Sequence, residues 1–493
     1  MRDIQPRWLA AALVVLMAAP NGLGAQGGLS LLDDASLVPR GLARLRMPVV
    51  WTRYDQRFGS SKQLALGAPY SSDSLGASQL LPLATTQSLI QAASATAFTL
   101  SLGKSRLDAM AREEQLPFTI EYGVMNRLSF SVMVPVIRKR LSGLLRLDST
   151  GANVGPNPHR SNVTASAMNG QVQTQFATAV TQLQNRLTAC AASPGSAGCP
   201  ALLARQAEAQ QLIQSSQSFA STVASLYGRS GETGQAFVPR SSSVAQSAVA
   251  ARVADFNLKY KDLLVSATDL ITAIPASAVG PAGAANLTSY VLSDLGRDSL
   301  ASNEVFGIGD VEVGFKFLMF DRPVTERRGL GMRLLVASSA HLPSGSRQAP
   351  AGVADLRIGD GAIGFDARAI AEVQRGRVAL LGAASYTSVG SNAVMPATDT
   401  WRMSVDIEPR WHITAPLSVH GSYAKRTADL TGNTQLVGGG VSFTTLSTFR
   451  RGDRPLPMEM RYSHLETISG AVGAAKFTRD QLEVRIYFQP GGR

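Results

Sequence analysis

Apolar and polar residues alternate one for one along much of this chain. In the stretch 401–413, Trp401, Met403, Val405, Ile407, Trp411 and Ile413 fall on one face, and Arg402, Ser404, Asp406, Glu408, Arg410 and His412 fall on the other. The pattern recurs where Val311, Val313, Phe315 and Phe317 alternate with Asp310, Glu312, Gly314 and Lys316. It returns near the end, where Leu482, Val484, Ile486 and Phe488 alternate with Gln481, Glu483 and Arg485. A soluble sandwich turns the apolar face inwards, whereas a membrane barrel turns it towards lipid and keeps its charges in the lumen. The segments are long enough to cross a bilayer when tilted, so the second arrangement is the expectation.

The alternation predicts about 12 strands, an even number as outer-membrane barrels require. They are expected at 44–57, 97–124, 127–141, 305–320, 329–342, 358–374, 377–390, 400–413, 416–428, 434–448, 456–468 and 478–488. The shortest connections, Met125-Asn126, Arg375-Gly376 and Thr414-Ala415, fall at one end of alternate hairpins together with 321–328 and 450–455. The longer links 343–357, 391–399 and 469–477 fall at the other. That parity is the one expected of periplasmic turns and outer loops.

Residues 143–302 have a different texture, rich in Ala, Ser, Gln and Leu at helical spacing. One helix is marked by Val172, Phe176, Val180, Leu183 and Leu187, and a second by Leu212, Phe219, Val223 and Leu226. A third runs through Val249, Val253, Phe256, Tyr260, Leu263, Ala267, Leu270 and Ile274 at steps of 4 and 3. This is a coiled-coil-like heptad seam over about 26 residues, roughly 39 Å of helix. The insert reads as a small bundle packed on itself, a plug in the lumen, or a docking surface for a partner helix.

Composition narrows the setting. Charged residues make up 17% of the 493-residue chain, against about 25% in ordinary soluble domains, while hydrophobic residues reach 45%. The first 25 residues join Arg2 and Arg7 to an apolar run from Leu9 to Ala19 and small residues at Leu23-Gly24-Ala25. They read as a cleaved secretory signal peptide, the alternative being a buried N-terminal helix. The chain is then divided into 1–25 signal peptide, 26–142 first part of the barrel, 143–302 insert and 303–493 remainder of the barrel. In this exported chain the formal net charge of +12 points to lumen pairing and phosphate-bearing lipid rather than nucleic acid, for no basic run exceeds Arg138-Lys139-Arg140. The two cysteines, Cys190 and Cys199, flank a turn around Pro194-Gly195 and read as a structural disulfide.

Three motifs resemble those of a known family. The run Ile120-Glu121-Tyr122-Gly123-Val124-Met125-Asn126-Arg127-Leu128 leads to Val134-Pro135; Gly307-Ile308-Gly309-Asp310 opens a later strand; and His341-Leu342-Pro343-Ser344-Gly345 closes the next. In these the chain is similar to the phenol-degradation meta-pathway (MetA-pathway) family of outer-membrane barrel proteins. The resemblance covers the barrel and none of 143–302. It implies a channel or transporter, with uptake of aromatic or poorly soluble compounds suggested for some members. The ending Phe488-Gln489-Pro490-Gly491-Gly492-Arg493 departs from barrels that finish on the aromatic itself.

Catalysis and metal binding find little footing. Gly307-Ile308-Gly309-Asp310 lacks the following helix of a phosphate loop, and Gly309, Gly359, Gly361 and Gly364 read as strand-entry glycines. Among the five histidines, His159 lies in the insert, His412 and His420 flank a turn, and His341 ends a strand. Ser463 and His464 are neighbours in a strand and point to opposite faces, which argues against a nucleophile–base pair. No metal-ligand spacing is present, and neither an enzyme nor a cofactor is expected.

Function is expected in the lumen. The inward set is Glu121, Asp310, Glu312, Asp366, Glu372, Asp406, Glu408, Glu459 and Glu483, with Lys316, Arg333, Arg368, Arg402, Arg410, Arg461 and Arg485. Mixed signs at this density favour cross-strand ion pairs over a single-sign selectivity ring. The reading is a Gram-negative outer-membrane channel or transporter for a small, hydrophobic or aromatic solute, gated by the insert or by residues 58–96. The competing reading is a structural barrel that displays the insert to a protein partner and transports nothing.

Overall fold

The computed structural model describes residues 36–80, 83–287, 303–322, 329–345, 358–359, 361–390, 400–414, 416–428, 433–449 and 457–490. Its contacts divide the chain into two compact units, one of Met1–Ala68, Asp108–Leu144 and Gly296–Arg493, the other of Pro69–Leu107 and Leu145–Leu295.

The first unit is a closed antiparallel β-barrel. Its strands are β1 (Ala43–Phe58), β2 (Lys104–Met125), β3 (Leu128–Asp148), β4 (Asn303–Ile308 continued by Val311–Arg322), β5 (Leu330–Leu342) and β6 (Gly364–Arg375). They are followed by β7 (Val378–Val389), β8 (Thr400–His412), β9 (Leu417–Ala428), β10 (Thr434–Thr444), β11 (Met458–Gly470) and β12 (Ala475–Phe488). Each strand pairs with its sequence neighbour, and β12 closes on β1 from Ala43↔Phe488 to Arg57↔Ala475. Closure of β12 on β1 pairs the first strand of the barrel with the last, which is what a sheet surrounded by hydrocarbon needs. No described helix is long and apolar enough to cross a membrane.

The two faces of the wall are inverted relative to a soluble protein. Phe130, Val132, Phe315, Phe317, Val405 and Trp411 are exposed, with Phe130 51% open, whereas Arg44, Arg46, Glu121, Lys316 and Glu483 are fully buried. Large apolar side chains left outside with charges packed inside is the pattern of a barrel whose outer surface meets lipid.

Strand boundaries follow turn chemistry. Asn126-Arg127 link β2 to β3, and Gly376-Arg377 link β6 to β7, Gly376 taking the left-handed φ of 58° that a tight turn demands. The link expected at 469–477 shrinks to 471–474, with β12 beginning at Ala475. The strand expected from residue 97 begins at Lys104. β4 is broken at Gly309-Asp310: its first half pairs with Val136–Leu141 of β3 and its second with Leu128–Met133.

The segment before β1 also belongs to the barrel. Val38 is fully buried, and Gly41 donates its amide to the Gly123 carbonyl at 2.8 Å. A Cβ at Gly123 would stand 2.1 Å from the Pro39 oxygen and 2.4 Å from that of Val38. Only glycine lets the chain pass there.

The second unit is helical. It contains α1 (Leu83–Ser94), α2 (Val163–Ala192), α3 (Cys199–Ala204), α4 (Gln206–Tyr227) and α5 (Val244–Leu264). Asn162 caps α2 by accepting the amides of Thr164 and Ala165, and Ser243 caps α5 through Gln246. Phe176, Phe219 and Phe256 form its centre, with ring centroids 5.2–5.5 Å apart. Leu75, Leu80, Leu83 and Ile90 share that core, so a segment assigned from sequence to the first part of the barrel packs with the helices. Cys190 and Cys199 are bonded, tying the end of α2 to the start of α3.

The long third helix is shorter than its seam. Val249, Val253, Phe256, Tyr260 and Leu263 are buried on one face, but α5 stops at Leu264 and Val265 turns left-handed at φ 52°. Ala267, Leu270 and Ile274 lie beyond it in non-helical chain. That segment finds its partners in side-chain amides: Asn257 accepts the amides of Leu270 and Ile271, Gln175 those of Thr272 and Ala273, and Asn169 that of Ala276. Spacing alone does not reveal those competing partners.

Candidate functional site

The barrel interior divides into a dry sector and a wetter one. On β12, β1, β2, β3 and β4 the charges are sealed. Arg44 Nη2 lies 2.6 Å from Glu121 Oε2, Lys316 Nζ 3.4 Å from the same oxygen, and Ser129 donates to Glu121 Oε1 at 2.7 Å. Arg46 reaches Glu483 at 2.7 Å, Arg485 reaches it at 2.9 Å, and Arg485 lies 3.7 Å from Glu459. Tyr487 donates to Glu459 at 3.0 Å. Opposite charges on adjacent strands satisfy one another where water is excluded, and such pairs hold only if their remaining atoms are also bonded.

On β5, β6, β8 and β11 several inward charges keep partial access to solvent, although Arg368 and Asp366 on β6 are buried. Arg333, its side chain 36% exposed, sits 3.5 Å from Asp321 and 3.7 Å from Glu372. Arg368 pairs with Asp406 at 3.2 Å, and Glu408, 15% exposed, accepts from both Arg410 and Arg461. The inward set expected from sequence thus meets as pairs: Glu121 with Lys316, Arg333 with Glu372, Arg368 with Asp406, Glu408 with Arg410 and Arg461, and Arg485 with Glu483 and Glu459. Asp310, Glu312 and Asp366 are buried on the same face. The Arg402 side chain lies outside the described residues.

Sequence reasoning missed Arg44 and Arg46, the two largest fully buried side chains. Their spacing of two, between Ala43, Leu45 and Met47, was a signal. Val50 and Tyr54 turning inward on the same strand blurred it. It also missed that the interior is partly apolar: Tyr54, Phe477, Leu436 and Ala424 form one buried cluster, and Met133, Leu335, Ala337 and Ile370 another.

Ser463 does find a histidine, though not His464. His420 Nε2 lies 3.2 Å from Ser463 Oγ, with Gly440 at the register position between them. A Cβ on Gly440 would strike the His420 ring at 2.8 Å, so the glycine opens the space through which the imidazole crosses β10. His420 Nδ1 is buried and has no hydrogen-bond partner among the described residues. The pair therefore lacks the acceptor that orients a catalytic imidazole. His464 instead reaches Asp480 at 2.8 Å on the exposed face.

No family model matches the chain, and no curated protein does. Solved structures of outer-membrane proteins are similar to this chain at low identity. An outer-membrane channel of Pseudomonas putida F1 is 8% identical, with a TM-score of 0.41 over 92% of this chain and 98% of that one. The toluene transporter TodX of Pseudomonas putida is 10% identical, with a TM-score of 0.26 over 94% and 93%. The translocator domain of the autotransporter NalP of Neisseria meningitidis is 5% identical, with a TM-score of 0.30 over 97% and 98%.

Proposed function

We propose that the chain is an outer-membrane channel or transporter for a small solute. The observation that carries this is the inverted wall: exposed apolar residues outside a closed barrel and ion-paired charges inside it. Solute passes along the wetter sector, lined by Arg333, Glu372, Asp406, Glu408, Arg410 and Arg461, because the opposite sector is packed to exclusion of water. The mixed signs there make the path polar without strong preference for anions or cations. The two inward apolar clusters and the resemblance to the phenol-degradation meta-pathway family support a solute with hydrophobic or aromatic character.

The test is solute flux into lipid vesicles that hold the purified protein. The helical unit is expected to restrict flux, so its removal raises the rate. The deletion must take both 69–107 and 145–295, since cutting the second alone strips Leu83 and Ile90 of their core. Absence of flux with and without the helical unit sinks the channel reading and favours a barrel that only carries an interaction module.

A further inference from the structure

One group of inward side chains is left unsatisfied by the barrel's own pairing. Glu312 on β4 is fully buried, and neither carboxylate oxygen has a hydrogen-bond partner among the described residues. Its register partner on β5 is His341, whose Nδ1 stands 3.8 Å away, beyond hydrogen-bond reach, and whose Nε2 is buried without a partner. Two residues back along β5, the Ser339 hydroxyl is buried and unpartnered as well. Asp366, paired with Ser339 across β5 and β6, accepts from Thr387 at 2.6 Å on one oxygen and from nothing on the other.

These atoms share one face of the wall on two successive levels, Glu312 beside His341 and Ser339 beside Asp366. Gly314 stands opposite Ser339, and Gly364 stands opposite His341. The two glycines bring no side chain of their own, and the His341 ring lies over Gly364, where a Cβ would stand 3.3 Å from it. Leaving a buried polar atom unpaired costs about 1–3 kcal/mol, more for a charge. Five such atoms on four neighbouring residues constitute a gap in the pairing, in a barrel that elsewhere satisfies its inward carboxylates thoroughly.

The charge balance says what fits. Glu312 and Asp366 bring two carboxylates, and the nearby guanidinium of Arg368 lies 3.2 Å from a third, that of Asp406. An anion is repelled here and a cation is attracted. Among the described residues no three metal-ligating side chains converge, which disfavours a coordinated metal ion. The open atoms are mainly acceptors, so they call for N–H donors. A primary ammonium carries three donors and one positive charge.

We propose that Glu312, Ser339, His341 and Asp366 form a binding site for a small organic cation with a primary ammonium head. The site lies further along β5 and β6 than the Arg333–Glu372 pair of the proposed solute path, and binding does not require flux.

Calorimetric titration of the full-length protein in detergent with methylammonium chloride tests it, with tetramethylammonium chloride as a probe of equal charge and no N–H donor. Saturable binding of methylammonium is expected, with no binding of tetramethylammonium. Glu312→Gln is expected to weaken it at least about tenfold, and Asp366→Asn to weaken it measurably. Heat-modifiable migration on gels verifies that each variant is a folded barrel. Equal binding of the two cations overturns the proposal, and this comparison needs no variant. Unchanged binding by folded Glu312→Gln overturns it too. So does an infrared band of a protonated carboxyl group that disappears in Glu312→Gln and ignores methylammonium, because the carboxyl is then neutral and already satisfied by its proton.

Discussion

The Asp310 carboxylate accepts the backbone amide of Gly345 at 2.9 Å, joining the break in β4 to the chain just past the end of β5. Both residues lie in Gly-x-Gly-Asp and Leu-Pro-Ser-Gly stretches of the sequence, and their roles here are architectural. Gly309 donates its amide to the Pro135 carbonyl at 2.8 Å, and Val311 donates to the Ser344 hydroxyl at 2.8 Å. A Cβ on Gly345 would lie 2.9 Å from Asp310 Oδ1, and one on Gly359 would lie 2.7 Å from it.

Asp310→Ala is therefore expected to destabilise the barrel by about 1–3 kcal/mol through the orphaned amide. Gly359→Val is expected to do so by crowding the carboxylate. Urea unfolding of the protein in lipid vesicles measures both. Wild-type midpoints in both variants count against the clamp.

Glu121 accepts from Arg44 and Ser129 and faces Lys316, all in the dry sector. Glu121→Gln removes the negative charge and leaves two buried cations facing one another. The expected loss is about 3–5 kcal/mol. The matched change in the wetter sector, Glu372→Gln beside a solvent-exposed Arg333, is expected to cost about 0–1 kcal/mol. Equal losses in the two variants refute the division of the interior.

Phe130 and Phe315 are register partners on the outward face, ring centroids 6.4 Å apart. In a bilayer this surface is in hydrocarbon. Phe315→Arg is expected to reduce folding into vesicles, with a cost that rises with depth to about 2–4 kcal/mol at the midplane. Phe315→Leu is expected to be close to neutral. Folding yield across lipids of different thickness checks the depth dependence.

In the helical unit, burial raises the Tyr227 phenol above its ordinary range, and its hydroxyl donates to Gln246 at 2.6 Å. A folded-state pKa above the unfolded one gives stability that is complete below the unfolded value, about 10 for tyrosine, and falls as pH rises beyond it. Helical circular dichroism of the full-length protein is expected to show Tm falling above that pH. Tyr227→Phe removes this alkaline component while costing some stability at neutral pH through the unpaired Gln246. A Tm in Tyr227→Phe that still falls equally steeply shows that Tyr227 is not the cause.

The barrel was legible because its signal is local. Trp401 to Ile413 and Val311 to Phe317 alternate with the period of a strand, and only a lipid-facing wall makes sense of so many charges on the other face. Helices were legible in the same way up to Leu263, where the seam continues in sequence after the backbone has turned at Val265. A period shows which face a residue shares, not when other hydrogen-bond partners become available.

The sequence by itself determined the antiparallel strands and, outside β1, which face of most of them is apolar, because each follows from neighbours one or two residues apart. Partners were decided only by closure of the sheet. Arg46 meets Glu483 because β1 pairs with β12 across almost the whole chain, and His420 meets Ser463 because Gly440 leaves the space between them. The unpaired state of Glu312 is of the same kind. Its charge is visible in the chain, but the lack of a donor depends on what β5 and β6 place beside it, and register across strands is a property of the fold.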